Sequence, residues 1–194
     1  MNQLDPADPK TEEQIKRTAV GLTQKQLSGQ VVLVDYDPAW PRLFAREFER
    51  IKSVLGRNAF AIEHVGSTSV PGLAAKPIID ILIVVANSAD ESSYVLALEK
   101  TGYVFGIREP DWHEHRMFKG PDTNINLHVF SQGDSEIERM LVFRDWLRED
   151  SADRNLYLAT KRDLAQQSWK YVQNYADAKS KVVESIIARA RKSR

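Results

Sequence analysis

Residues 63–80 read EHVGSTSVPGLAAKPIID, and the order of residue types in that string decides how the chain is built. Phe60 to Val65 is a strand-forming run, Gly66 to Lys76 a loop of small residues with a Pro-Gly pair, and Pro77 to Val85 a second, buried strand. Backbone N–H groups in a Gly-Ser-Thr-Ser turn can point at an anion, and Lys76 adds positive charge beside it. Asp80 interrupts an apolar run, where a carboxylate left unpaired in the interior is costly. A position at an open edge, facing a metal or a cation, removes that cost. Lys76 does not follow the Walker A order, and the string is not a dinucleotide fingerprint. By local pattern alone, a plain strand–turn–strand connection fits equally well.

Working outward, Val31 to Val34 has the β-branched character of a short strand. Asp37-Pro38 opens a helix whose Trp40, Leu43, Phe44, Phe48, Ile51 and Leu55 recur at spacings of three and four, up to Gly56. Ser88 or Asp90 caps a helix to Gly102, and Tyr103–Ile107, His115–Phe118 and Ile125–Phe130 read as three further strands. Alternation in the last puts Asn126 and His128 on one face and Ile125, Leu127 and Val129 on the other. Three helices follow, Asp134–Arg148, Ala152–Gln167 and Trp169–Arg191. Residues 1–30 read as an N-terminal extension, loose over Met1–Pro9 and helical over Thr11–Gln26, and residues 31–194 as one domain. Strands in the middle with helices at both ends give an α+β or α/β plan, a mixed sheet flanked by helices with a helical C-terminal section.

Composition narrows the function. The 194 residues carry 27 Lys+Arg against 27 Asp+Glu, a formal charge of +0, which argues against bulk nucleic-acid binding through basic excess. With no cysteine, disulfides, thiolate zinc sites and cysteine nucleophiles are excluded. No apolar run approaches the ~20 residues that cross a bilayer, and no apolar signal core opens the chain. A soluble, cytoplasmic protein without a membrane partner is expected.

The string HVGSTSVPGLAAKPIIDI closely resembles the signature of the GrpB-like family of bacterial proteins. So do VDYDPAWPRLF at 34–44, HRMF at 115–118, NLHVF at 126–130, MLVFRDWLR at 140–148 and YVQNYADAKSKVVESI at 171–186. The resemblance implies a nucleotidyltransferase-superfamily fold, in which a Gly-Ser turn meets a nucleotide's triphosphate. Carboxylates on the next strand and on a later one hold two Mg²⁺ ions for phosphoryl transfer. Gly66-Ser67 matches the turn and Asp80 the first carboxylate, but Leu82 stands at its partner position and Asn126 and His128 where a third acid is expected.

The resemblance therefore implies a nucleoside triphosphate, or a related phosphorylated small molecule, bound with Mg²⁺ or Mn²⁺ and transferred as a nucleotidyl group to an acceptor. In that reading Gly66, Ser67, Thr68, Ser69, Lys76, Arg116 and Arg144 contact phosphate or nucleotide, and Asp80 and His128 are catalytic. Asp80 ligates metal, with His64, His128 or Glu63 helping. Two alternatives follow from the edited carboxylates: a nucleotide sensor without chemistry, or an enzyme with His64, His128 and Asp80 around a transition metal. Arg144 beside Asp145 also fits a structural ion pair, Lys119 fits a solvated surface, and Lys179 lies in a family motif that can approach the pocket.

Overall fold

Asp80 sits in the second of five strands: β1 (Ala61–Val65), β2 (Ile79–Val85), β3 (Val104–Glu109), β4 (His115–Lys119) and β5 (Ile125–Ser131). The computed structural model describes residues 10–21 and 31–193. The strands form one mixed sheet in the order β1-β2-β5-β4-β3, in which β2 and β5 run parallel and the other neighbours antiparallel. Because both faces of the sheet are covered, the central β2 is apolar throughout except at Asp80.

On one face Ile79, Ile81, Ile83, Leu127, Val129 and Phe118 pack on α2 (Trp40–Leu55) and α3 (Val95–Glu99) through Trp40, Ile51, Leu55 and Leu98. On the other, Val65, Leu82, Val84 and Phe130 meet Ile137, Met140 and Leu141 of α4 (Ser135–Glu149). Behind α4, Leu147, Tyr157 of α5 (Ser151–Ala165) and Ile186 of α7 (Ser180–Lys192) enclose Val70 and Leu73 of the loop after β1. Asp150 caps α5 by accepting the Asp153 N–H at 2.7 Å. Asp153 in turn accepts from Trp146 of α4 at 2.7 Å and from Arg189 of α7, so one carboxylate ties three helices together.

Several elements differ from the sequence reading. The N-terminal helix α1 (Glu12–Thr18) begins with a capping box at Thr11 but stops well before Gln26. There Ala19 turns extended and bridges Ile107, and Val20 N–H reaches Gly106 O at 2.7 Å, because the edge of β3 offers unpaired backbone. The expectations for residues 1–9 and for the helix beyond Gly21 lie outside the described residues. Val31–Val34 is not a strand: it makes a single bridge, Val34 to Ala75. Helix α2 starts at Trp40, since the Asp37 carboxylate accepts the Ala39 N–H and makes a turn first. Ser88 does not cap a long helix. Its N–H bonds Ser131 Oγ and its hydroxyl bonds Glu114 O, which anchors the segment to the sheet and leaves a 3₁₀ turn (Glu91–Ser93) before the short α3.

The correction that matters most for function is at the end of the chain. The single helix expected over 169–191 is two helices, α6 (Val172–Asp177) and α7, broken at Ala178-Lys179. Asp177 is drawn outward by the Lys10 N–H at 2.8 Å and by Gln173, and Lys179 N–H bonds Ala176 O in a tighter final turn. No described helix is long and apolar enough to cross a membrane.

Helix α2 carries one buried charge, Glu47, fully enclosed; it accepts the Tyr103 hydroxyl at 2.7 Å and Arg46 Nε at 3.0 Å. Removing the carboxylate strands a buried phenol, so Glu47→Ala should cost about 1–3 kcal/mol, while Tyr103→Phe, which leaves the arginines in place, should cost less. Urea denaturation of the two variants checks that order; equal losses would mean that the arginine contacts of Glu47 add nothing beyond its bond to the hydroxyl.

Candidate functional site

Asp80 lies opposite Val65 of β1 and Asn126 of β5, so the turn that leaves β1 passes directly over its carboxylate. Gly66 has φ +68°, and a Cβ there would stand 2.4 Å from Asp80 Oδ2, so a side chain at this point would displace the carboxylate. The next residues form a 3₁₀ turn, Ser67–Ser69. Thr68 Oγ1 donates to Ile78 O at 3.0 Å and lies 3.1 Å from His64 Nε2; Ser69 Oγ donates to Gly66 O at 2.6 Å. These two hydroxyls are buried and fix the loop. Ser67 shares a hydrogen bond with the Tyr157 hydroxyl of α5.

Around Asp80 the polar groups form a row. Asn126 Nδ2 donates to Asp80 Oδ1 at 2.8 Å, and Lys119 Nζ donates to Asn126 Oδ1 at 2.5 Å. His128 Nε2 is 3.8 Å from the same Asp80 oxygen. Its Nδ1 lies 3.0 Å from His115 Nε2, and His115 Nδ1 lies 2.7 Å from Glu109 Oε2; Lys10 pairs with Glu109 at the far end. Burial alone would raise the pKa of Asp80, but His128, Asn126 and Lys76 outweigh it and hold the carboxyl below its ordinary value. Burial likewise opposes ionisation of Glu109, yet His115 and Lys10 take it down to about 2. His115 is pushed down to about 4, mainly by burial, so it is neutral at pH 7. With Glu109 ionised, the His115 proton sits on Nδ1 and its Nε2 accepts from His128 Nδ1–H. That polarity turns the second ring nitrogen of His128, Nε2, toward Asp80.

Lysines close the other side. Lys161 of α5 is 2% exposed and donates to Ala74 O at 2.6 Å. Its pKa falls to about 7, first through burial and then through Lys179 and Lys76. Lys76 and Lys179 fall to about 8, burial again leading, with Lys179 acting on Lys76 and Asp80 opposing both shifts. Lys119 is lowered by burial against the pull of Asp80. Lys179 Nζ stands 4.6 Å and Lys76 Nζ 5.7 Å from the centroid of the Tyr175 ring. Among the described residues, Tyr175 Oη is a buried polar atom with no hydrogen-bond partner.

The structure thus brings Gly66, Ser67, Lys76, Asp80 and His128 together, with Lys119 and Lys179 beside them, and it places His64, Arg116 and Arg144 elsewhere. His64 points to the opposite face of the sheet, where its ring stacks on Phe44 at 4.9 Å. Arg116 is buried with its donors on Glu91 and Glu114 O. Arg144 donates to Glu63 Oε2 and Asp145 Oδ1, both at 2.7 Å, which docks α4 on β1. The donors do not fit a two-ion carboxylate centre. Leu82 is packed under α4, Asn126 is an amide already bonded to Asp80, and Glu63 is engaged by Arg144. Among the described residues, no three His, Cys, Asp or Glu side chains stand close enough to hold one metal ion.

Sequence reasoning missed Lys161, Tyr157 and the Glu109–His115 pair. Lys161 had the same signal as Asp80: it falls on the buried stripe Asp153, Tyr157, Lys161 of α5, a charge on an inward face.

The sequence profile of the family described as GrpB protein matches residues 30–189. UPF0157 protein BH1888 of Halalkalibacterium halodurans is 59% identical over 190 residues, covering 98% of this chain and 97% of that one. The crystal structure of conserved protein GrpB from Enterococcus faecalis aligns with a TM-score of 0.73 at 32% identity, over 84% of this chain and 98% of that one. The structure of Cid1 in complex with its short product ApU aligns with a TM-score of 0.50 at 10% identity, over 75% of this chain and 44% of that one. That last likeness is one of fold: the mixed sheet has the nucleotidyltransferase-type architecture.

Two buried histidines make the fold acid-sensitive. His64 and His115 have pKa values of about 4 when folded, against an ordinary 6.5 when unfolded. Between those values the unfolded chain binds more protons, so stability is full above pH 6.5 and falls as pH drops toward 4. The slope near pH 5 should approach roughly 2.7 kcal/mol per pH unit for two such groups. Urea midpoints at pH 7, 6 and 5 test this; half the slope would mean that one ring is charged in the native state, and a flat profile that both are.

Proposed function

The chain belongs to the GrpB family, and we propose that its pocket binds a nucleoside triphosphate or a related phosphorylated small molecule between the Gly66–Ser67 turn and the α5–α7 helices. The observation that carries this reading is the grouping of four lysines around the Asp80 side of the sheet. Lys119 is on the Asn126 amide, Lys161 is buried against Ala74 O, and Lys76 and Lys179 lie over the ring of Tyr175, whose hydroxyl has no hydrogen-bond partner among the described residues. Four ammonium groups held at depressed pKa values against one carboxylate favour an anionic ligand with several charges. The turn over Asp80 is where the resemblance to the nucleotidyltransferase superfamily puts the phosphates.

The reaction proposed is transfer of a nucleotidyl group to a hydroxyl acceptor. The acceptor oxygen bonds to the α-phosphorus while the bond from that phosphorus to its bridging oxygen breaks, and diphosphate leaves with the electron pair. His128 Nε2 receives the acceptor's proton, and the imidazolium so formed faces Asp80 at 3.8 Å, a stabilising charge. Where the fold class would use carboxylate-bound Mg²⁺ or Mn²⁺, Asp80 supplies one ligand only. Leu82 and Asn126 at the acidic positions favour a second reading, a nucleotide sensor that binds without turnover.

A thermal-shift panel of nucleoside di- and triphosphates tests the binding. A ligand at about 100 times its Kd adds ~2.7 kcal/mol, enough to raise Tm by several degrees. The expected result is a shift with a triphosphate that is lost in Lys179→Met. A flat panel would overturn the reading. Release of diphosphate, reduced in His128→Asn with binding intact, would distinguish the enzyme from the sensor.

A further inference from the structure

Resting on the phosphate-binding reading, we propose that Lys76, Lys119, Lys161 and Lys179 take the place of resident divalent ions, so that the pocket binds the metal-free polyphosphate rather than its Mg²⁺ complex. Asp80 is the carboxylate at the centre of this group. One of its oxygens accepts the Asn126 amide at 2.8 Å and the Gly66 turn passes close over the other, so Asp80 offers an ion a single, partly engaged carboxylate. Asn126 is itself oriented by Lys119, whose ammonium occupies the side of the amide away from Asp80. A cation entering here meets ammonium groups before it meets a second carboxylate.

The lysines come from separate elements: Lys76 from the loop before β2, Lys119 from β4, Lys161 from α5 and Lys179 from the break between α6 and α7. Lys161 and Lys179 sit near the faces of Tyr157 and Tyr175, at 5.2 and 4.6 Å from the ring centroids, which fixes the ammonium groups without neutralising them. Asp80, His128 and Asp177 are the other charged or titratable groups close by, with the Tyr157 and Tyr175 phenols. Phosphate oxygens accept hydrogen bonds from ammonium and phenol donors alike, and Tyr175 Oη is a buried donor with no hydrogen-bond partner among the described residues. An Mg²⁺ complex carries its own positive charge and an ordered shell of water, and it would enter this crowd of ammonium groups with part of its attraction cancelled.

Proton linkage gives a second readout. In the free protein Lys76, Lys161 and Lys179 titrate at about 8, 7 and 8, so near pH 8 a part of them is neutral. A bound anion raises those values, and binding takes up protons from the medium. Affinity should fall as pH rises from 7 to 9.

The test is calorimetric titration of the wild-type protein with inorganic tripolyphosphate, used as the probe in buffer stripped of divalent ions and again with excess Mg²⁺. Repeating it near pH 8 in two buffers of different protonation enthalpy measures proton uptake. The expected result is binding in the stripped buffer with net uptake, weakened about tenfold or more by Mg²⁺. Binding that appears only with Mg²⁺ would overturn the lysine replacement while leaving the phosphate reading standing. Absence of binding in both arms would remove both. Lys76→Met, at a half-buried loop position, should weaken the stripped-buffer binding with little change in Tm, and unchanged affinity there would count against the proposal.

Discussion

A carboxylate one residue in from the start of a buried strand governs the rest of this structure. Asp80 is ionised in a sheet whose neighbouring positions are packed hydrocarbon, and such a group persists only when donors surround it. Asn126 must then be an amide rather than an acid, the residue over it must be glycine, and cations must gather on its open side. Those cations have the reverse difficulty. Four lysines stand near one carboxylate, and burial, with mutual repulsion added at Lys76 and Lys161, makes them lose protons more readily than lysines in water. Hydrogen bonds hold Asp80, Asn126, Lys119 and Lys161, while lysines outnumber carboxylates around them, an imbalance that underlies the proposed preference for anions.

The two faces of the sheet divide the work. Toward α2 and α3, His64 and Arg116 satisfy polar groups within the fold, and their contacts leave no donor aimed at a ligand. Toward α4–α7, residues from five separate elements converge. Arg144 belongs to this side but acts as a bolt between α4 and β1. The residue types that phosphate chemistry uses occur on both faces, and burial with a prior partner separates the structural ones from those still available.

The fold was legible because the decisive strings are long and ordered: all five strands lie within two residues of the runs seen in the sequence, and the two long helices α4 and α5 begin beside capping aspartates. Asp80 was legible for a physical reason, a charge in an apolar run. Local spacing fails where long-range contacts decide. Nothing in Tyr171–Ile186 signals a helix break, because the break is set by Asp177 bonding to Lys10, 167 positions away. His115 and His128 belong to different motifs, and only the antiparallel pairing of β4 with β5 makes their rings touch. Arg144 was the converse case: a cation in a motif, read two ways, whose partners Glu63 and Asp145 show that it docks a helix.

The pocket's walls come from opposite ends of the domain's sequence, the Gly66 turn and the Lys179 break. A folding intermediate that has formed the sheet but not yet docked α5–α7 has a turn, a carboxylate and no lysine cage, so an anion gains little from it. On the proposed reading, a ligand stabilises the finished fold selectively over states in which α5–α7 are undocked. Supply of the small molecule would then become resistance to proteolysis at the helical end of the chain, whether or not chemistry follows.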